Sequence, residues 1–290
     1  MSTTGFLQKQ GSAYLLVLLV MISAFSLVAG MQQVLFRKTT ALRIQNNEMN
    51  LRNALILGLQ QGMQLLSEDE DPGVDSFADE WMKPLTFETT DGIYLEVRLE
   101  DAQVGFNLNL LSLPLPETAP RTYFDMFEDL LKSYDVYPDS QELKNIQARI
   151  QINEVWFENH ETLLLLSPES GDYLKAMDSL SALPRPQSEP LKVNLNTVRP
   201  EVLQAMVGTT FTQWVNMILA AREETEIQNP GAYMQHLPIA VQPLVLSMVG
   251  ASSEYVNAVI IAETDYTQKT LTALLHRNDE GEVEVLRCRW

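Results

Sequence analysis

A chain of 290 residues with 38 acidic and 20 basic side chains carries a net charge of −18 and enough apolar content for one large domain or two modest ones. That balance argues against a nucleic-acid partner, because phosphate-backbone binding relies on clustered Lys and Arg. The single cysteine, Cys288, excludes an internal disulfide or a Cys-rich zinc site, and His160, His236 and His276 are too dispersed for a zinc spacing such as H-E-x-x-H.

No charged side chain occurs between Gly11 and Phe36, and the stretch 14–22 is densely apolar. About 20 such residues cross a bilayer as helix, and a central charge would cost roughly 2.5–3.5 kcal/mol on insertion scales. A secretory signal peptide is the first rival, but the apolar run is long for one. Ala24, Ala29 and Gly30 are small, yet no A-x-A site precedes the renewed helical pattern of residues 32–66, which contains no proline. Leu35, Leu42, Met49, Ile56, Leu59, Met63 and Leu66 are spaced for one helical face, so membrane segment and soluble helix read as one rod.

Ahead of the apolar run, Lys9-Gln10-Gly11 precedes Ser12-Ala13-Tyr14, so a cut after Gly11 would remove a polar leader and keep the helix, with Ser12 as the new N-terminus. This resembles the type IV prepilin leader; the plainer reading is a signal anchor that is never cut. Pilin-like subunits mostly carry Glu five residues after the cut, where this chain has Leu16. The resemblance implies that the usual carboxylate pairs with a neighbour's amine. A subunit with Leu16 forgoes that pair and avoids burying a carboxylate in lipid, which suits the end of a filament. Lys9 on one side and Arg37, Lys38 and Arg43 on the other leave orientation unsettled by charge alone.

The acidic stretch 67–73, ending in Pro72-Gly73, stops the helix. Alternation in 85–90 and 93–99 about Asp91-Gly92 predicts a β-hairpin, and 100–111 a short strand or extended segment. Residues 121–134 read as a helix with Phe124, Phe127, Leu130 and Leu131 on one face. Asp139-Ser140 would cap another running to about 152, with Leu143, Ile146 and Ile150 inward. Loops fall near 167–172 and 183–190, two helices within 200–223 and one within 239–248. Strands follow over 253–262, 268–276 and 283–289, the last two joined by a turn at 278–281. Strands flanking a helical middle predict an α+β fold: a long N-terminal helix packed on a small antiparallel sheet, with a large α-helical insertion.

Glu68, Asp69, Glu70, Asp71 and Asp75 are the calcium candidates, with Asp101 and Asp279 weaker; their spacing is not that of an EF-hand, and acidic runs are ordinarily solvated. No other cofactor is expected. Residues 194–222 resemble a helix-hairpin-helix unit. Gly208-Thr209-Thr210-Phe211 keeps only the first glycine of a phosphate-approaching turn, and Arg199 and Arg222 are outnumbered by Glu201, Glu223, Glu224 and Glu226, so a packing hairpin is preferred. Asn194, Asn196 and Thr197 read as structural, Asn196 or Thr197 capping the helix that begins near Pro200. His160 between Glu158 and Glu161 has no evident nucleophile beside it. Nucleophile-elbow, P-loop and dinucleotide motifs are lacking, and Trp81, Trp156, Trp214 and Trp290 read as core or interface. An enzyme is not expected.

Three segments, with the N-terminus and the 53–58 stretch, resemble the K-class minor pseudopilins of type II secretion, the general secretion pathway protein K family. They are 99–109 with Asn107-Leu108-Asn109, 193–203 with Asn194-Leu195-Asn196-Thr197, and 252–256. The resemblance covers nearly the whole chain in order. It departs at 153–159, where the family often carries D-W-x-D. It departs also at Cys288, which cannot supply the disulfide beside which some members bind calcium.

The resemblance implies a prepilin leader 1–11, a membrane and pilin helix 12–66, sheet from 67–112 and 252–290, and an inserted helical domain 113–251. It implies N-methylation at Ser12 after cleavage by a prepilin peptidase. It also implies a single pass of the bacterial inner membrane with the bulk in the periplasm, and assembly at the filament tip with I-class and J-class minor pseudopilins, the major pseudopilin and the inner-membrane secretion platform. The rivals are a minor pilin of a type IV pilus or DNA-uptake system, and a membrane-tethered hydrolase or binding protein with an uncut anchor.

Overall fold

A computed structural model describes residues 4–113, 119–153, 157–159, 161–163, 171–184, 190–278 and 280–290, with side chains left undescribed at 4–13, 140, 151–153 and 171. Trp156, His160 and Asp279 lie outside the described residues. The backbone at Gly11 and Ser12 is helical, but nothing is described of the Ser12 side chain. The chain divides into two compact units, Met1–Ala54 and Leu55–Trp290.

The first element is one unbroken helix, α1 (Thr4–Ser67). Its N-terminal part is long and apolar enough to cross a membrane. Leu16 is exposed on it, as are the apolar residues around it. The hydroxyls of Ser23, Thr39 and Thr40 donate to carbonyls one turn back, on Leu19, Leu35 and Phe36, at 2.8, 2.9 and 2.9 Å. For Ser23, inside the uncharged run, such back-bonding satisfies a polar group where lipid would offer no partner.

In the second unit the end of α1 lies against a five-stranded antiparallel sheet ordered β1 (Leu85–Glu88), β2 (Tyr94–Asp101), β7 (Tyr255–Thr264), β8 (Thr267–Arg277) and β9 (Val283–Arg289). Alternation along β2 puts Leu95, Val97 and Leu99 toward the helix. The helix answers with its smallest side chains. A Cβ on Gly58 would stand 2.6 Å from Ile260 Cγ2, and one on Gly62 3.1 Å from Val97 Cγ1. The buried stripe of this stretch is therefore Leu55, Gly58, Gly62 and Leu66. This corrects the expected face: Ile56 is exposed and Leu59 and Met63 are half-buried, because the line of closest approach runs through the glycines and the larger residues flank it. The β1–β2 loop also differs from a two-residue turn. It spans 89–93, with Gly92 at φ +74° in the left-handed region that favours glycine.

Strands β2 and β7 are neighbours, Asp101 pairing with Val256, although residues 102–254 intervene. That intervening chain holds α2 (Tyr123–Ser133), α3 (Ser140–Asn153), α4 (Pro200–Val207), α5 (Thr212–Glu224) and α6 (Gln242–Met248). It also forms two parallel strand pairs of two residues each, β3 (Phe106–Asn107) with β4 (Leu180–Ser181) and β5 (Val193–Asn194) with β6 (Val249–Gly250). The helix α2 opens on a capping box in which Thr122 Oγ1 accepts from Asp125 N at 3.1 Å and Asp125 Oδ2 from Thr122 N at 2.7 Å. At α3, Asp139 accepts from Gln141 N at 3.0 Å, as its place ahead of the helix predicts. Phe106, Phe127, Leu130, Ile150, Val202 and Ile218 belong to one continuous core that joins these helices.

Candidate functional site

The expected extended stretch 100–111 is a run of short 3-10 turns around β3, and the reason lies in its asparagines. Asn107 Oδ1 accepts from Asn109 N at 3.1 Å, which folds the backbone into a local side-chain turn. Asn109 then uses its amide as a strand would use a peptide: Oδ1 accepts from Phe157 N at 2.8 Å, and Nδ2 donates to Phe157 O at 3.0 Å and Leu183 O at 2.8 Å. The second N-x-N segment repeats the device. Asn194 Oδ1 accepts from Asn196 N at 2.9 Å, while Asn196 Oδ1 accepts from Ile227 N at 2.7 Å and its Nδ2 donates to Ile227 O at 3.2 Å. Each turn leaves one short parallel strand pair and fixes a distant loop through backbone groups that would otherwise be buried without partners. Neither Asn196 nor Thr197 caps α4, contrary to expectation. The cap position is Arg199 with no side-chain bond, and Pro200 opens the helix with no N–H to satisfy.

The two turns differ in their surroundings. The first bonds within the insertion, whereas the second joins a buried polar clasp drawn from five stretches of chain. At its centre Arg277, 3% exposed, donates from Nη2 to both oxygens of Asp75 at 2.6 Å and from Nη1 to Asp69 Oδ2 at 2.6 Å. Its guanidinium lies 5.9 Å from the centroid of the Trp81 ring, whose Nε1 donates to Asp75 Oδ1 at 3.2 Å. Ser253 N donates to Asp75 Oδ2 at 2.6 Å, and Asn194 Nδ2 donates to the Asp75 carbonyl at 2.9 Å and to Ser253 Oγ at 3.0 Å. Gln103 Oε1 accepts from Glu254 N and Tyr255 N at 2.6 and 2.8 Å, holding the entry to β7. Asp101 accepts from Gln103 N at 2.7 Å and from the Thr197 hydroxyl. Sheet, insertion and the segment after α1 all meet here.

Burial pushes the Asp75 carboxyl up to about 6, against the pull of Arg277 and the Ser253 N–H. Burial likewise raises Asp101, opposed by its bonds from Thr197 and Gln103. Both Asp75 oxygens are occupied by protein donors, so the group serves to hold segments together and not as a general base.

Of the five calcium candidates, the structure brings Asp69 and Asp75 together, and the cation between them is Arg277. Glu68, Glu70 and Asp71 are exposed, Glu68 accepting from Gln64 Nε2 at 2.7 Å. Among the described residues no group of three or more His, Cys, Asp or Glu is placed to hold a metal ion. In the hairpin-like unit, Gly208 sits at φ +89° against the guanidinium of Arg121, which donates to Ala205 O at 2.7 Å. Arg222 donates to Val198 O at 2.7 Å, so Arg121 is spent on a carbonyl in the last turn of α4 and Arg222 on one in the segment that leads into it.

The sequence reading missed Arg277, although a signal was present. Leu271, Ala273, Leu275 and Arg277 share one face of β8, and a cation on an otherwise apolar, buried row requires a buried partner.

No family model matches the chain. It is 25% identical over 96% of its length to type II secretion system protein K of Pseudomonas aeruginosa, covering 92% of that protein. It is 22% identical to type II secretion system protein K of Aeromonas hydrophila, with 97% of each chain covered. Its fold matches a chain in the crystal structure of the GspK-GspI-GspJ complex from the enterotoxigenic Escherichia coli type 2 secretion system, with TM-score 0.66, 16% identity, and 85% of this chain and 98% of that one covered.

Proposed function

We propose, from its similarity to the type II secretion system K proteins, that this chain is a structural subunit rather than an enzyme, the minor pseudopilin at the tip of a pseudopilus. There it assembles with I-class and J-class minor pseudopilins, primes addition of the major pseudopilin from the inner-membrane platform, and supports export across the outer membrane. A prepilin peptidase removes residues 1–11, leaving Ser12 as an N-methylated terminus. The helix spans the inner membrane once and the remainder lies in the periplasm. Calcium has no part in this reading.

The observation that carries the tip assignment is the split between β2 and β7. Adjacent strands of one small sheet are separated by a helical insertion. β2 runs alongside α1 from Leu95 near Gly58 to Leu99 near Gly62, so the insertion departs at the end of the sheet reached by the helix's last turns. A bulky body there obstructs a further subunit. Leu16 removes the carboxylate such a subunit's amine would seek, so steric and electrostatic arguments agree.

The test is purification of the full chain from its native host, with mass measurement of the N-terminus. The expected product begins at N-methylated Ser12 and brings down the two other minor pseudopilins of the same system. A chain beginning at intact Met1, or cut near Gly30, would sink the leader assignment; a processed chain that purifies without either partner would sink the tip assignment.

A further inference from the structure

The segment that leaves α1 is tied to the insertion at a second place, beside the clasp but chemically apart from it. Ser76 is buried, and its hydroxyl stands between two carboxylates. Ser76 Oγ is 2.8 Å from Glu226 Oε1, just beyond the end of α5, and 3.2 Å from Asp79 Oδ1. Ala78 N donates to the same Oγ at 3.2 Å, and Ser76 N donates to Asp79 Oδ2 at 2.8 Å. A hydroxyl has one hydrogen to give and two lone pairs with which to accept. Given to Glu226 across the shorter contact, that hydrogen leaves Asp79 Oδ1 facing a lone pair, oxygen against oxygen. One proton on Asp79 Oδ1 completes the set. Asp79 then donates to Ser76, Ser76 donates to Glu226, and Ala78 N fills the second lone pair.

The surroundings favour that proton. Burial first, then the like charges of Asp69 and Glu226, push the Asp79 carboxyl above its ordinary value, against its two bonds from Ser76. Nearby cations are engaged elsewhere: Arg277 holds Asp69 and Asp75, and Lys83 bonds Glu80. Among the described residues neither Asp79 nor Glu226 bonds a cation. Because the folded value lies above the unfolded one of 3.8, the contact is complete at low pH and is lost as pH rises through the raised value.

We propose that Asp79, Ser76 and Glu226 form a proton-dependent latch, which holds the 225–229 loop of the insertion to the segment after α1 at acid pH and lets it go as pH rises. Ile227 stays pinned by Asn196 in both states, so the latch frees the outer side of the loop and leaves the fold intact. The inference does not rest on the secretion reading.

The test is amide hydrogen exchange of the detergent-solubilised full chain, read by mass spectrometry at about pH 5 and about pH 8 and corrected for the intrinsic rate. Peptides covering 224–229 should exchange about tenfold faster at the higher pH, while peptides over the first asparagine turn, 106–111, should not change. Ser76→Ala removes the bridge and should give the faster rate at both values. Glu226→Gln, at an exposed site, supplies a hydrogen from its own amide and should give the slower rate at both. That variant also separates the latch from Asp75, which titrates in the same range and is untouched by it. Any of three results overturns the proposal. One is equal exchange of the native loop at the two pH values. Another is a Glu226→Gln loop that keeps the native pH dependence, which would assign the effect to Asp75. The third is protection restored at the higher pH by calcium or magnesium, which would make a metal ion and not a proton the group that completes the contact.

Discussion

Along its face on α1 the sheet presents Leu95, Val97, Leu99 and Ile260 to a helix that offers Gly58 and Gly62, whereas at its insertion end it meets the rest of the molecule through Asp75, Arg277, Gln103 and Asn194. The first contact is made by leaving atoms out and is non-directional, so its strength depends on fit alone. The second is made by directional bonds among groups that would be costly if left alone, so its strength depends on completeness. The two should therefore fail differently, one by graded overpacking and the other by exposure of an unpaired buried charge.

The largest effect is expected at the charge. Arg277→Met removes the cation from between Asp69 and Asp75 while keeping most of the side-chain volume, and should cost about 3–5 kcal/mol in urea unfolding of the detergent-solubilised full chain. A loss below about 1 kcal/mol would mean that the clasp reorganises or admits water, and the contrast with the helix face would weaken.

A second difference is in pH. The folded protein retains a proton on Asp75 up to about 6, where the unfolded chain has lost it at the ordinary carboxylate value of 3.8. On this group's account stability is fully present below the unfolded value and is lost as pH rises through about 6. The change amounts to up to about 3 kcal/mol. Urea midpoints measured across that window for the native chain and Asp75→Asn should differ in slope, the native chain losing more as pH rises. Parallel slopes would show that Arg277 cancels the burial of Asp75.

A smaller loss is expected at Asn196→Ala, which strips partners from the N–H and C=O of Ile227 and should cost about 1–3 kcal/mol. Asn109→Ala removes the matching bonds to Phe157 and should cost a similar amount. The two variants separate by pH, however. Only the Asn196 turn adjoins the clasp, so only its cost should change across the Asp75 titration, and equal pH dependence in unfolding curves would refute the distinction.

Much of the fold was readable because it follows from local periodicity. Alternation gave the strands of the sheet, and the uncharged run with its proline-free continuation gave α1. The helix face was misassigned because apolar spacing finds large residues, while the closest approach was made by Gly58 and Gly62, which hydrophobicity does not mark. The clasp was hidden for another reason. Asp75, Asp101, Asn194, Ser253 and Arg277 are scattered over 203 positions of sequence, and each alone reads as an ordinary surface or turn residue. Arg277 on the inward row of β8 was the one local sign. The asparagines read from the sequence as structural residues, but the reach of their side chains to Phe157 and Ile227 depends on long-range topology that spacing does not encode.

The finest test of the apolar contact sets its two glycines against each other. Alanine in place of a helical glycine gains about 1 kcal/mol from propensity, so the sign of each substitution depends on whether packing costs more than that. At Gly58 the added methyl would lie 2.6 Å from Ile260 Cγ2, a fully buried β-branched side chain in a central strand with little freedom to turn away. Overpacking of that kind costs about 1–3 kcal/mol and should win, leaving Gly58→Ala destabilised by up to about 2 kcal/mol. At Gly62 the nearest atoms are 3.1 and 3.3 Å away, on Val97 Cγ1 and Leu99 Cδ2, and Leu99 can yield by a small rotation. Gly62→Ala should therefore change the urea midpoint little, and both variants should keep the native pH slope because neither touches Asp75. A Gly62 variant as damaged as the Gly58 one would place the tightest contact a full turn further along the helix.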